Sequence, residues 1–169
     1  MAGSPVRSAL REGSSLQKAI RDGLGAVKRQ DRDCIESSIR AVFADSVDID
    51  EALRRGRERE NRWDYLLGHS PSGCVVGVEP HSAKDDEVNT VIRKRRAALE
   101  HLKDHLRPGA KVQKWLWVAS GKVKFADTEQ KRRQLDQHGI EFVGPRVMAK
   151  HLPPLAPPTR RKAKARVAR

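Results

Sequence analysis

The sequence predicts an α/β fold, a central mixed sheet of about four to five strands flanked by helices. Three observations predict it. Residues 62–67 and 74–81 are strand-length runs separated by turn chemistry, which makes an antiparallel hairpin. A long amphipathic stretch follows at 85–106, with Val88, Val91, Ile92, Leu99, Leu102 and Leu106 as its buried stripe. Further short apolar runs at 114–119, 122–125 and 140–143 supply the remaining strands.

Taken in order, residues 1–13 are small, polar and mixed, and read as a flexible end. Ser14 and Ser15 can cap a helix to about Gln30, frayed at Gly23 and Gly25. Ile35, Ile39, Val42 and Phe43 repeat at helical spacing over 31–43. Asp48, Asp50 and Glu51 suit the N-terminus of another helix running through Arg59, because carboxylates are favourable at that end of the dipole. After the hairpin, Arg107-Pro108-Gly109 stops the long helix. Ser120-Gly121 makes a tight turn, and Asp127 or Thr128 caps a short helix to about His138, ended by Gly139. Residues 146–152 read as a last helical turn or two. Residues 14–152 thus form one domain. Beyond it, 153–169 is proline-rich and then cationic with no acid, a composition that cannot bury enough apolar surface to fold alone.

The 169 residues are 37% hydrophobic, 34% charged and 4% aromatic, with a formal net charge of +13. A basic excess of that size attracts polyanions, and nucleic acid is the partner expected first, DNA ahead of RNA. Cys34 and Cys74 form no CxxC pair and no disulfide framework, which favours a reducing, cytoplasmic setting. No apolar run reaches the ~18 residues of a membrane helix, and the first residues lack a secretory apolar core. No internal repeat is present.

The hairpin carries the sharpest chemical signal. If Leu67 faces Cys74, Asp64 lies opposite Gly77. Asp64, Glu79 and His81 then share one face, with Gly77 leaving room between them. Two carboxylates and an imidazole there suit a hard divalent cation such as Mg²⁺. A slip of one residue would put the acids on opposite faces. Strand exposure of Asp64 and a proline-marked strand exit at Glu79-Pro80-His81 give the same residues without a site.

These residues resemble the PD-(D/E)XK nuclease-like (restriction-endonuclease-like) family, whose pattern is an acid, a hairpin and then (D/E)-x-K in an α-β-β-β-α-β core. Asp64 matches the first acid and Glu79 the second, while His81 stands where the family has lysine. The long helix and the strand Trp115-Leu116-Trp117-Val118 follow in the expected order, so the resemblance covers roughly 35–143. It implies metal-dependent phosphodiester cleavage. Asp64, Glu79 and the Pro80 carbonyl would hold Mg²⁺ or Mn²⁺, and His81 would assist the water. Lys84 or Lys122 would supply the missing cation, and Glu58 or Glu60 a further acid. The sequence departs from the pattern in that lysine and in showing one strand, not two, ahead of the second acid.

Arg93, Lys94 and Arg96 on the long helix, Lys122 and Lys124 on a strand, and Lys131, Arg132 and Arg133 on the short helix are candidates for phosphate contacts. Arg160, Arg161 and Lys162 of the tail could add non-specific affinity. Trp63, Trp115 and Trp117 could stack on bases, although strand positions favour packing. His101 and His105 have the i, i+4 spacing of a zinc pair but no third ligand in sequence. Asp45, Asp48 and Asp50 suit helix capping better than a Ca²⁺ loop. Two other expectations stay open: a non-catalytic nucleic-acid-binding module, and an adaptor whose basic tail docks an acidic protein. Self-association as a homodimer, or membership of a larger complex, is open too.

Overall fold

The structure is a computed structural model and describes residues 3–121 and 129–155. The chain is an α/β fold built on an open, mixed, six-stranded sheet. The strands are β1 (Arg21–Asp22), β2 (Phe43–Asp48), β3 (Tyr65–His69), β4 (Cys74–His81), β5 (Val112–Ala119) and β6 (Ile140–Phe142), and their spatial order follows the sequence. The first four are mutually antiparallel, whereas β4, β5 and β6 are parallel. β4 therefore borders both halves. The helices are α1 (Pro5–Ala9), α2 (Ile49–Leu53), α3 (Glu87–Leu102) and α4 (Glu129–Gln137), with α3 crossing over between β4 and β5.

Strand alternation divides the core in two. On one face Leu66, Val75, Trp115 and Trp117 pack with Val88, Val91, Ile92 and Leu102 of α3 and with Val6 and Leu10. On the other, Tyr65, Leu67, Val76, Val78, Leu116 and Val118 pack with Ile35, Ile39 and Val147.

The first sixty residues differ most from expectation. The N-terminal stretch read as a flexible end instead forms α1, with Val6 and Leu10 buried. Asp45, itself buried on β2, accepts the backbone N–H groups of Val6 and Arg7 at 3.1 and 2.9 Å, and so caps α1 from another element. The helix expected from Ser14 is only a 3-10 turn, Ser15–Ala19, which Ser14 does cap, and it leads into β1. The helix expected over 31–43 is two 3-10 turns, Arg29–Cys34 and Ser37–Val42, each ending in an extended residue, Ile35 and Phe43. The apolar spacing is real, but it serves 3-10 turns laid on the sheet.

β2 was absent from the expectation because Asp45, Ser46 and Asp48 are poor strand formers. Tertiary hydrogen bonds satisfy them: Asp45 caps α1, and the Ser46 hydroxyl accepts the Ala26 N–H at 3.0 Å. The helix expected to reach Arg59 stops after α2, where Asp48 caps Glu51 as the sequence suggests.

The hairpin forms with a different register. Leu67 pairs with Val76 and His69 with Cys74, so residues 70–73 make the turn and Gly68-His69 belong to β3. The shift is two residues, an even number, so every side chain keeps its face. α3 is shorter than expected at both ends. Ala98, not Leu99, is buried in its stripe, and Leu99 is 42% exposed. The strand β5, the helix α4 ended by Gly139 and the strand β6 lie where the sequence placed them. The expected strand at 122–125, with Lys122 and Lys124, and the caps Asp127 and Thr128 lie outside the described residues. So do Arg160, Arg161 and Lys162.

Candidate active site

The observed register brings Asp64, at the entry to β3, level with Glu79, near the carboxyl end of β4. The Asp64 backbone N–H donates to Glu79 Oε2 at 2.9 Å. The Lys94 ammonium, from the middle of α3, donates to Glu79 Oε1 and lies 3.7 Å from Asp64 Oδ1. Three elements thus place two carboxylates around one cation. Carboxyl ends of strands in open α/β sheets are the usual location of ligand sites.

Glu79 is fully buried, and Asp64 and Lys94 retain a little exposure. Burial pushes the Glu79 carboxyl up to about 8, with the neighbouring Asp64 adding to the rise and Lys94 opposing it. Burial likewise lifts Asp64 to about 6, against the pull of Lys94. Burial works against the Lys94 ammonium too, but Glu79 and Asp64 outweigh it and hold the ammonium above its ordinary value. Such coupled perturbation at a strand end is a mark of functional sites.

His81 continues the same face of β4. Its Nε2 is 2.7 Å from Glu87 Oε2, in the first turn of α3, and its Nδ1 is 3.7 Å from Glu79 Oε1. Both ring nitrogens therefore look towards carboxylates, and the imidazole ties Glu79 to α3. The hydrogen bond from His81 lowers the Glu87 pKa.

Gly77 is required here, for a reason other than room between the acids. It pairs with Leu66, and a Cβ on it would meet Trp115 Cε3 at 2.7 Å and Trp63 Nε1 at 3.1 Å. Those two indoles meet edge to face, 5.0 Å apart, over Gly77. All three tryptophans are buried, so they pack and offer no stacking surface.

Lys84 is exposed in the turn ahead of α3, and no ion pair among the described residues links it to the acids. Lys94, read in the sequence as a phosphate contact, occupies the position sought for Lys84 or Lys122. One signal pointed to it. Lys94 stands three residues after Val91 and four before Ala98, on the flank of the buried stripe, where a cation needs a buried acid. Pro80 lies in β4 beyond the last paired residue of β3, where a missing N–H costs no bond on that side.

The other candidates scatter. Arg93 and Arg96 are exposed on α3. Lys131 pairs with Asp85, Arg133 pairs with Glu129 at 2.6 Å, and Arg132 is exposed on α4. Glu60 binds His101 and Arg57, and Glu58 accepts the Gly56 N–H, so neither joins Asp64. His105 bonds Ser14, which separates it from the partner of His101. Asp50 pairs with Arg54 and Arg62. Among the described residues no group of three or more His, Cys, Asp or Glu is placed to hold a metal ion, and no helix is long and apolar enough to cross a membrane. Comparison with protein-family models, curated proteins and solved structures gave no match.

Proposed function

We propose that the protein is a metal-dependent phosphodiesterase acting on nucleic acid, with Asp64, Glu79 and Lys94 as its working residues. The observation that carries this reading is the convergence of two carboxylates, from the two strands of the hairpin, on one cation from the following helix. The order of elements supports it as well. β2 supplies the strand that the restriction-endonuclease-like pattern needs ahead of Asp64, and Lys94 supplies the ammonium that His81 does not.

The donor set suits Mg²⁺ or Mn²⁺. Mg²⁺ keeps several waters and needs only one or two carboxylates, and Asp64 and Glu79 already face a shared cation. Pro80 would add its carbonyl. Such an ion lowers the pKa of a bound water and offsets charge on a phosphoryl oxygen. The Asp64 N–H fixes Glu79 Oε2, and His81 braces Glu79 against Glu87. Lys94, released from Glu79, would meet the phosphate as a point charge. Arg93 and Arg96 stand exposed on the same helix, placed for backbone phosphates.

The direct test is cleavage of duplex and single-stranded DNA and RNA with Mg²⁺ or Mn²⁺. Activity is expected to vanish in the double variant Asp64→Ala/Glu79→Ala, and activity that survives it rejects the reading. Metal affinity is expected to rise with pH between about 6 and about 8, because the ion needs both carboxylates ionised. Calorimetric titration at several pH values measures that slope.

A further inference from the structure

A second concavity lies on the far flank of α3. It is a cleft of about 440 Å³ between that flank, the loop that follows α1 and the segment joining α3 to β5. Leu99, Leu102, Leu106 and Val112 line its apolar part, and Arg11, Arg95, Arg107 and Lys111 line its charged part together with Lys103, which pairs with Glu100. Leu99, the one member of the expected α3 stripe that stands exposed, sits at its rim.

The cleft is preformed. The Arg11 N–H donates to the His105 carbonyl at 2.8 Å and the Arg107 N–H to the Ala9 carbonyl at 2.9 Å, which stitches the two loops together. Arg11 Nε donates to the Leu106 carbonyl at 2.8 Å, and Arg107 Nε to the Leu10 carbonyl at 2.9 Å. Each guanidinium is thereby oriented through Nε, leaving its Nη donors for an oxygen pair. Among the described residues none of Arg11, Arg95, Arg107 and Lys111 pairs with a carboxylate, whereas Arg54, Arg57, Arg62 and Arg133 all do.

Four uncompensated cations around an aliphatic floor specify an occupant that is both apolar and several-fold anionic. A monocarboxylate would leave most of the cations unanswered. A nucleic acid would find no ring to stack on, because Trp115 is 3% exposed and lies beneath the Arg95 guanidinium. We propose that this cleft docks an acidic peptide segment of a partner protein, with carboxylates on either side of a bulky apolar side chain. The apolar side chain sits against Leu99 and Leu106, the cleft leucines that keep exposed surface, and the carboxylates reach the surrounding cations.

The test is fluorescence anisotropy of the full chain with a fluorescein-labelled Glu-Asp-Leu-Phe-Asp-Glu peptide. Binding is expected, and Leu99→Asp or Lys111→Glu is expected to weaken it about tenfold, the scale of losing one anchor contact. Both positions are exposed, so the variants keep the fold, which circular dichroism checks. A control peptide with serines for leucine and phenylalanine is expected to bind at least as weakly as the variants do. Equal binding of that control, or indifference to Leu99→Asp, overturns the proposal in favour of bulk charge attraction. A single-stranded oligonucleotide that binds in a Leu99-dependent way overturns it in favour of a nucleic-acid site. Phosphodiester cleavage is expected to be the same in both variants, so this result is independent of the acidic site.

Discussion

The two faces of the sheet are built by the same strands but differ in kind. On the side away from α3, Leu67, Val76, Val78, Leu116 and Val118 form a seam that is aliphatic apart from Phe43 and from Tyr65, whose hydroxyl donates to Asp31. On the α3 side, the same strands bury Glu79 beside Trp115 and Trp117 and need a glycine to fit two indoles. One face is mostly aliphatic, and the ionisable groups it carries, such as His69 buried beside Phe43, are not brought together into a cluster of carboxylates. The other encloses two carboxylates and an ammonium whose desolvation is offset by one another and by the Asp64 N–H on Glu79. The difference teaches that the apolar seam and the coupled charges occupy opposite sides of a shared backbone, so they can be perturbed separately.

That separation can be broken in stages. Leu116→Ala, on the aliphatic face, is expected to cost about 4 kcal/mol through lost burial and a residual cavity, and to leave the pH dependence of stability unchanged. Urea unfolding at two pH values checks both parts. Lys94→Met is expected to cost about 3 kcal/mol, because it leaves buried carboxylates without their cation. Most of that is expected to return in Lys94→Met/Glu79→Gln, so a double variant no more stable than the single one argues against the pairing. Gly77→Ala is expected to cost about 2 kcal/mol, since its Cβ must displace Trp115. Near-ultraviolet circular dichroism should report the moved indoles.

The gentlest probe is pH. Folded Asp64 and Glu79 hold protons that the unfolded chain releases near pH 4, so the native state binds more protons between there and about 8. Their contribution therefore falls as pH rises through that window. Lys94, raised above its ordinary value, stays charged throughout it and adds no slope. Glu79→Gln is expected to flatten the upper part of the decline, towards about 8, where Asp64, half-titrated at about 6, is already mostly ionised. An unchanged slope in denaturation midpoints would place the buried proton elsewhere.

Legibility in the sequence followed the same division between local and distant causes. The hairpin, α3, β5, α4 and β6 were readable because their apolar period and their turn residues agree. The face shared by Asp64 and Glu79 was readable for the same reason, and it survived a wrong register because the error was even. β2 was not readable, because a strand of Asp and Ser is stable only when Val6, Arg7 and Ala26 arrive to bond it. α1 was hidden by its shortness, since five residues do not form a helix without the sheet they pack on.

The sequence by itself determined a basic α/β chain with an acid on each side of a hairpin and an amphipathic helix after it, because periodicity and turn chemistry are local properties. Only the tertiary structure decided which cation meets those acids. Lys94 is fifteen residues beyond Glu79, and only the packing of α3 on β4 turns its ammonium inward. Tertiary structure also decided that Leu99 faces out into a cationic cleft, because a 3.6-residue repeat lets either Ala98 or Leu99 take the buried position and close packing admitted the smaller.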